Sequence, residues 1–325
     1  MNIRVTISVG LVALVAVLPP VHSQADSTRR VRTVVLTFDD IPLGQGQPGT
    51  RCNREALLTV NQRIAAALIA VRAPSAAFIT TGNICDQIRD PVLGQVIRTW
   101  KRAGAAIGNH GHRHLSLSRV PLATYSADLA LADSLIRRHW RGDSSSSPGS
   151  SLGGEGIRWF RHPFLHVGAD TATANGLDRW LESHGYRVAP VTIDNNEWVY
   201  ARAYTLALGR GDSAMVRRLV PAYLEHIDQA FAFAESMSVR VTREEIPQIL
   251  LLHANELNRD HMPDVLQLIE RRGYRFISIE EALAHPAYRR RPYYLGINGI
   301  SWLLRWSPDS TVWRMDLPMT PAWVQ

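Results

Sequence analysis

Lysine is the first absence. The chain has 325 residues and 36 lysines plus arginines, yet Lys101 is the only lysine. The cations are scattered rather than gathered in tracts, which argues against a nucleic-acid footprint. The formal net charge of +7 reads as a solvated basic surface, with an acidic wall polymer as the partner the charge also allows. Cysteine is the second absence. Cys52 and Cys85 are the only two. Neither has a cysteine or histidine at ligand spacing, which excludes a cysteine-built zinc site. Long apolar runs are the third. After the first two dozen residues no segment is apolar and long enough for a membrane helix, so no stable membrane insertion is expected.

The one apolar run is N-terminal. Arg4 precedes Val5 to Leu18, a stretch too short to span a bilayer comfortably. Val21-His22-Ser23 follows, with a cut expected near Gln24. Residues 1–23 therefore read as an export signal, and the mature protein as periplasmic or secreted. No cysteine follows the run directly, so no lipid anchor is expected there. In an exported chain an even cysteine count favours a disulfide between Cys52 and Cys85, two buried free thiols being the alternative.

Hydrophobic residues make up 46% of the chain, enough for a large core in one domain or two. Strand-like runs fall at 34–38, 76–80, 105–108, 157–160, 187–191, 249–253 and 275–277. Between them lie helical patterns at 54–71, 91–102, 121–140, 171–183 and 262–272. In the first of these Ala56, Leu57, Val60, Ile64, Ala67 and Leu68 share a face. Repeated β-α units imply an α/β fold with a parallel sheet, here an incompletely closed barrel. Reactive groups in such barrels gather at the C-terminal strand ends.

Three segments do not fit the repeat. The Gly/Ser-rich run 142–156 reads as a surface loop. Residues 199–248 form an insertion, helical over 213–235, that is either a lid or extra packing on the flank. The tail 286–325 carries Trp302, Trp306, Trp313 and Trp323, which either stack on sugars or pin the tail to the domain.

Chemistry-bearing motifs end or follow the strands. Asp39 and Asp40 are adjacent, so on a strand end one can ligate a metal while the other faces a bound water. His110 and His114 are four apart, which in a helical turn puts both imidazoles on one face, with His112 pointing elsewhere. With Asp40 they make two histidines and a carboxylate, leaving an open position as hydrolytic zinc sites require. Arg161 would hold Asp39 ionised. His253 ends one strand and Asp194 its neighbour; that pairing raises imidazole basicity and suits a general acid. Trp198 packs against His253 or lines an acyl pocket.

These stretches are Thr37–Asp40, His110–His114, Arg161–Phe164, Asp194–Trp198 and Leu251–His253. In this order they resemble the motifs of the polysaccharide deacetylase family, also called the NodB-homology domain or carbohydrate esterase family four, over residues 32–285. The resemblance implies a distorted (β/α)7 barrel with a divalent metal, usually zinc, cobalt also serving. It implies that Asp39 is the general base, oriented by Arg161, and that Asp40, His110 and His114 hold the metal. It implies that His253 is the general acid tuned by Asp194, and that a backbone N–H near Phe164 helps bind the oxyanion. The expected substrate is an acetylated glycan, N-acetyl or O-acetyl. Ile41, Gly111 and Glu197 stand where glycine, serine or threonine, and aspartate are commoner, which leaves the substrate open. Two alternatives remain: an amidohydrolase of small non-sugar amides, and an inactive carbohydrate-binding homologue.

Overall fold

The computed structural model describes Met1 and residues 31–44, 46–47, 49–141, 157–315 and 318–325. Apart from Met1, the expected export signal lies outside the described residues, as does the Gly/Ser-rich segment 142–156. Val31–Gln325 forms one compact unit.

The strands are β1 (Arg32–Ile41), β2 (Ser75–Ile79), β3 (Ala106–Asn109), β4 (Trp159–Phe160), β5 (Arg187–Val188), β6 (Gln248–His253) and β7 (Tyr274–Phe276). They pair in parallel in the order β5-β4-β3-β2-β1-β6, and β7 pairs with the start of β1. Beyond β5 the chain swings across to β6: Ile193 bridges Leu250, and its N–H donates to the Ile249 carbonyl at 3.0 Å. The sheet thus curls to meet itself, giving the distorted α/β barrel. β5 is shorter than the sequence pattern suggests because Pro190 has no N–H to give the ladder.

Helices surround the sheet: α1 (Arg54–Ala70), α2 (Arg89–Arg102), α3 (Leu122–Arg141), α4 (Thr171–Ser183), α5 (Glu197–Gly209), α6 (Ser213–Thr242), α7 (Glu256–Arg271), α8 (Ile279–Leu283) and α9 (Trp302–Arg305). Side-chain caps fix several starts. Asn53, Asp170, Asp212 and Asn255 each accept an N–H from their own helix's first turn. Ser278 and Glu281 form a capping box on α8. The Asn255 cap makes α7 begin at Glu256 and run through Pro263 rather than start beside it, as the periodicity suggested. The insertion is helical over more of its length than expected, as α5 and α6.

Strand alternation divides the core. Val35, Ala76, Phe78, Trp159, Ala189 and Ile249 pack together inside the barrel, with Ile277, Ile279 and Ala282. Leu36, Phe38, Ala77, Ile79, Phe160, Leu250 and Leu252 face the helix layer and meet Leu57, Val60, Ile64 and Trp100. Strands buried on both faces explain the unbroken apolar runs in the sequence. The inward rows continue upward: Val35 leads to Thr37 and Asp39, Trp159 to Arg161, Ile249 to Leu251 and His253.

The insertion packs on the barrel's flank, with Tyr200, Tyr204, Tyr223, Ile227 and Phe231 buried. In the tail, Trp302 and Trp306 are buried and Trp323 lies under the Arg218 guanidinium at 3.8 Å. Cys52 and Cys85 are joined in a disulfide, their Cα atoms 5.0 Å apart, which ties together the loops after β1 and β2. No helix among the described residues is long and apolar enough to cross a membrane.

Candidate metal and catalytic site

The C-terminal ends of the strands open into a cleft of about 680 Å³ lined by Asp39, Asp40, His110, His114, Asp194, Glu197 and His253, among others. One ligating atom from each of Asp40, His110 and His114 lies within 4.8 Å of the others. These residues do not reach the cleft as simple periodicity suggests. Residues 110–114 form an irregular loop, not a helical turn, with positive φ at Gly111 (82°) and His114 (53°). The turning loop brings the imidazoles to 4.9 Å between centroids. His112 points away, its Nδ1 2.9 Å from the Thr81 hydroxyl. Strand alternation would send Asp39 and Asp40 to opposite faces. Instead Asp40 takes φ 58° where the β1–β2 register slips between Phe38 and Ile41, and both carboxylates line the cleft.

Each candidate ligand is held in place. His110 Nδ1–H donates to the Arg161 carbonyl at 2.8 Å, which leaves the Nε2 lone pair for a ligand. Asp40 Oδ1 accepts from the Thr80 hydroxyl at 3.1 Å. His114 packs edge-on against Phe164 at 4.3 Å. Burial pushes both imidazoles down to about 4, so they are neutral donors at pH 7. Burial also works to raise Asp40, but His114, His110, His253 and the Thr80 hydroxyl outweigh it and hold its carboxyl below the usual range. Neutral imidazoles beside an ionised carboxylate are a donor set that fits a divalent cation such as zinc.

Asp39 lies below this cluster, buried. Its Oδ2 accepts from Arg161 at 3.3 Å, and its Oδ1 has no hydrogen-bond partner among the described residues. Burial pushes its carboxyl up to about 6, against the pull of Arg161 and His253. Arg161 is fully buried. It donates to the Ala189 carbonyl at 2.7 Å and the Thr37 hydroxyl at 3.0 Å, and its guanidinium lies 4.6 Å over the Phe78 ring. Phe164 and Trp198 line the cleft with exposed rings.

The carboxylate on His253 is Glu197, not Asp194. Glu197 Oε2 accepts from His253 Nδ1 at 2.8 Å, whereas among the described residues no hydrogen bond joins Asp194 to His253. Burial opposes charge on His253, but the Glu197 carboxylate and its hydrogen bond raise it to about 9. Asp194 lines the cleft and is itself pushed up by burial. The backbone decides the difference. Asn196 takes φ 53° and starts α5, and this turn carries Glu197 back against the end of β6. The other Glu197 oxygen accepts from Asn255 at 2.5 Å and Asn258 at 2.6 Å, and Asn258 accepts from the Tyr223 hydroxyl at 2.7 Å. A polar chain thus runs from the insertion to His253. In the sequence Glu197 lies within the Asp194–Trp198 stretch, and Asn255 and Asn258 fall within five residues of His253, but nothing in that spacing pairs them.

The polysaccharide deacetylase family model matches residues 26–188, half of the chain. The chain belongs to the polysaccharide deacetylase family. Among solved structures, it is similar to a family 4 carbohydrate esterase from Streptomyces lividans in complex with acetate. Identity is 17%, coverage 77% of this chain and 95% of that one, and the TM-score 0.45. It is similar to a polysaccharide deacetylase from Bacillus cereus, at 17% identity, 76% and 91% coverage and a TM-score of 0.48. A family pseudoenzyme from Bacillus anthracis matches at 13% identity, 78% and 66% coverage and a TM-score of 0.46. Comparison of the sequence with curated proteins gives no match. In this deacetylase family member, the matched residues 26–188 hold Asp39, Asp40, His110, His114 and Arg161, while Glu197 and His253 lie beyond them.

Proposed function

We propose that the chain is an exported, metal-dependent deacetylase that hydrolyses acetyl groups on a glycan, N-acetyl groups foremost. One observation carries this: Asp40, His110 and His114 converge within 4.8 Å in a cleft that also holds Asp39 and His253. Family membership supports hydrolysis of acetylated carbohydrate. The Cys52–Cys85 disulfide supports an oxidising compartment and hence export.

Asp40, His110 and His114 would hold the cation. A divalent ion there, zinc or cobalt, would supply Lewis acidity and lower the pKa of the attacking water. Asp39 takes the proton of the attacking water at Oδ1, the oxygen without a partner, while Arg161 holds Oδ2. Water adds to the acetyl carbon, and a main-chain N–H near Phe164 would help bind the oxyanion. His253 Nε2 then gives a proton to the leaving sugar amine or alkoxide as the bond to the acetyl carbon breaks. Glu197 keeps that imidazole protonated and aimed. Phe164 and Trp198 flank the acyl group. The products are acetate and the free amine or hydroxyl.

The test is acetate release from acetylated chitooligosaccharides, peptidoglycan fragments and acetylated xylan by zinc- or cobalt-loaded protein, against small amides. Release from a glycan that stops in Asp39→Asn supports the reading. Tight glycan binding without release, or release from small amides alone, overturns it.

A further inference from the structure

The C-terminal segment reaches the site. Gly299 lines the same cleft as the candidate metal ligands. A Cβ placed on Gly299 would lie 1.8 Å from the Phe164 carbonyl oxygen, so no side chain fits there. The tail backbone is therefore pressed directly against the main chain of the Arg161–Phe164 motif.

That main chain is unusual. Phe164 and Leu165 both have positive φ, 57° and 55°. Non-glycine residues rarely hold this region, and consecutive ones persist only where the surroundings impose it. Local hydrogen bonds contribute: Leu165 N–H donates to the His162 carbonyl at 3.0 Å and His166 N–H to the Pro163 carbonyl at 3.1 Å. The Leu165 carbonyl is taken by a residue 140 positions away, accepting from Arg305 at 2.7 Å.

Arg305 is fully buried, and among the described residues no carboxylate pairs with it. Its other hydrogen bonds also end on carbonyls: Ile300 at 3.1 Å, Tyr294 at 3.2 Å and Asn298 at 3.1 Å. Its guanidinium lies 5.3 Å from the Tyr294 ring centroid and 5.4 Å from that of Trp302. A buried cation without a counterion is costly. A fixed array of carbonyl dipoles, with the two ring faces, offsets that cost, so the tail loop and Leu165 are locked to one another through a single planar fork.

We propose that the 293–307 segment, through Gly299, forms a fixed wall of the acetyl pocket, with Arg305 and Gly299 as positioning residues that hold Phe164 and Leu165 in place. The inference rests on the deacetylase reading for its kinetic consequence. The Phe164 ring abuts His114, and in the proposed mechanism its main-chain N–H serves the oxyanion, so drift of this turn misaligns the acyl group while Asp40 and His110 keep their own supports at Thr80 and the Arg161 carbonyl. The tail is part of the active site, in addition to being pinned to the barrel.

The experiment compares wild type with Gly299→Ala and Arg305→Met by hydrogen exchange read by mass spectrometry, zinc content, and kcat and KM on an acetylated chitooligosaccharide. Faster exchange confined to residues 162–166, unchanged zinc content, and a kcat lower by roughly 10- to 100-fold with KM little changed are expected. If Arg305→Met fails to fold, Gly299→Ala decides, because it adds one methyl. A folded Gly299→Ala with wild-type exchange over 162–166 and wild-type kcat overturns the proposal, as does a kcat loss that only follows zinc loss. If wild type releases no acetate from any glycan, the functional reading falls, and the exchange comparison still decides this one.

Discussion

Glu197 and His253 sit 56 residues apart in sequence and 2.8 Å apart in space, Oε2 to Nδ1, with the carboxylate fully buried. The pair makes His253 an acid that stays protonated where a free imidazole would not. It also shows why Asp194, nearer the strand in sequence, is the weaker candidate for this role.

Replacing Glu197 with glutamine removes the charge but keeps the shape. His253, now at about 9, then falls toward the ordinary histidine value, because burial is no longer outweighed. The alkaline limb of the rate profile should move to lower pH, and kcat at pH 8 should fall by roughly 10- to 100-fold. Asp194→Asn should move that limb less. Rate profiles of the two variants side by side check this, and an equal or larger shift in Asp194→Asn would restore Asp194 as the partner.

The wild-type kcat/KM profile should be bell-shaped. As the proposed general base Asp39 would act deprotonated, so the rate should rise with pH through a limb at or below about 6, a bound cation pulling it lower. As the proposed general acid His253 would act protonated, so the rate should fall through about 9. The same shift enters stability in the metal-free protein. The contribution of protonated His253 is fully present below about 6.5 and is lost as pH rises through about 9. Denaturant midpoints at pH 6 and pH 10 measure it; Glu197→Gln should flatten the difference.

His114→Ala and Asp40→Ala should abolish zinc retention and acetate release together, because each leaves only two ligands. Asp39→Asn should keep zinc and lose about 10²- to 10⁴-fold in kcat. Metal analysis beside turnover separates the two classes. Dialysis against a chelator should silence wild type, with zinc or cobalt restoring it.

Cys52 and Cys85 are 33 positions apart. Chain-entropy reasoning gives a bridge of that span roughly 3–4 kcal/mol of stability. Cys52→Ser with Cys85→Ser should lower Tm, and a reducing agent should lower the Tm of wild type but not of the double variant. Zinc affinity should change little, since neither loop supplies a ligand. An unchanged Tm on reduction would remove the bridge from the stability account.

The sequence alone determined the parallel α/β barrel, because strands buried on both faces leave unbroken apolar runs between helical repeats. It also determined most of the site's composition, since Asp39, Arg161 and His253 follow inward-facing strand positions by simple alternation. Tertiary structure decided the rest, where direction depends on single backbone dihedrals or on contacts between distant segments. The left-handed turns at Asp40 and His114 aim the candidate metal ligands in ways no periodicity encodes. The turn at Asn196 chooses Glu197 over Asp194. Only packing reveals that Gly299 and Arg305, on a tail whose tryptophans drew the eye, bear on Phe164 and Leu165. Short-range pattern records which face a residue occupies; which partner it meets is set by how remote segments close on one another.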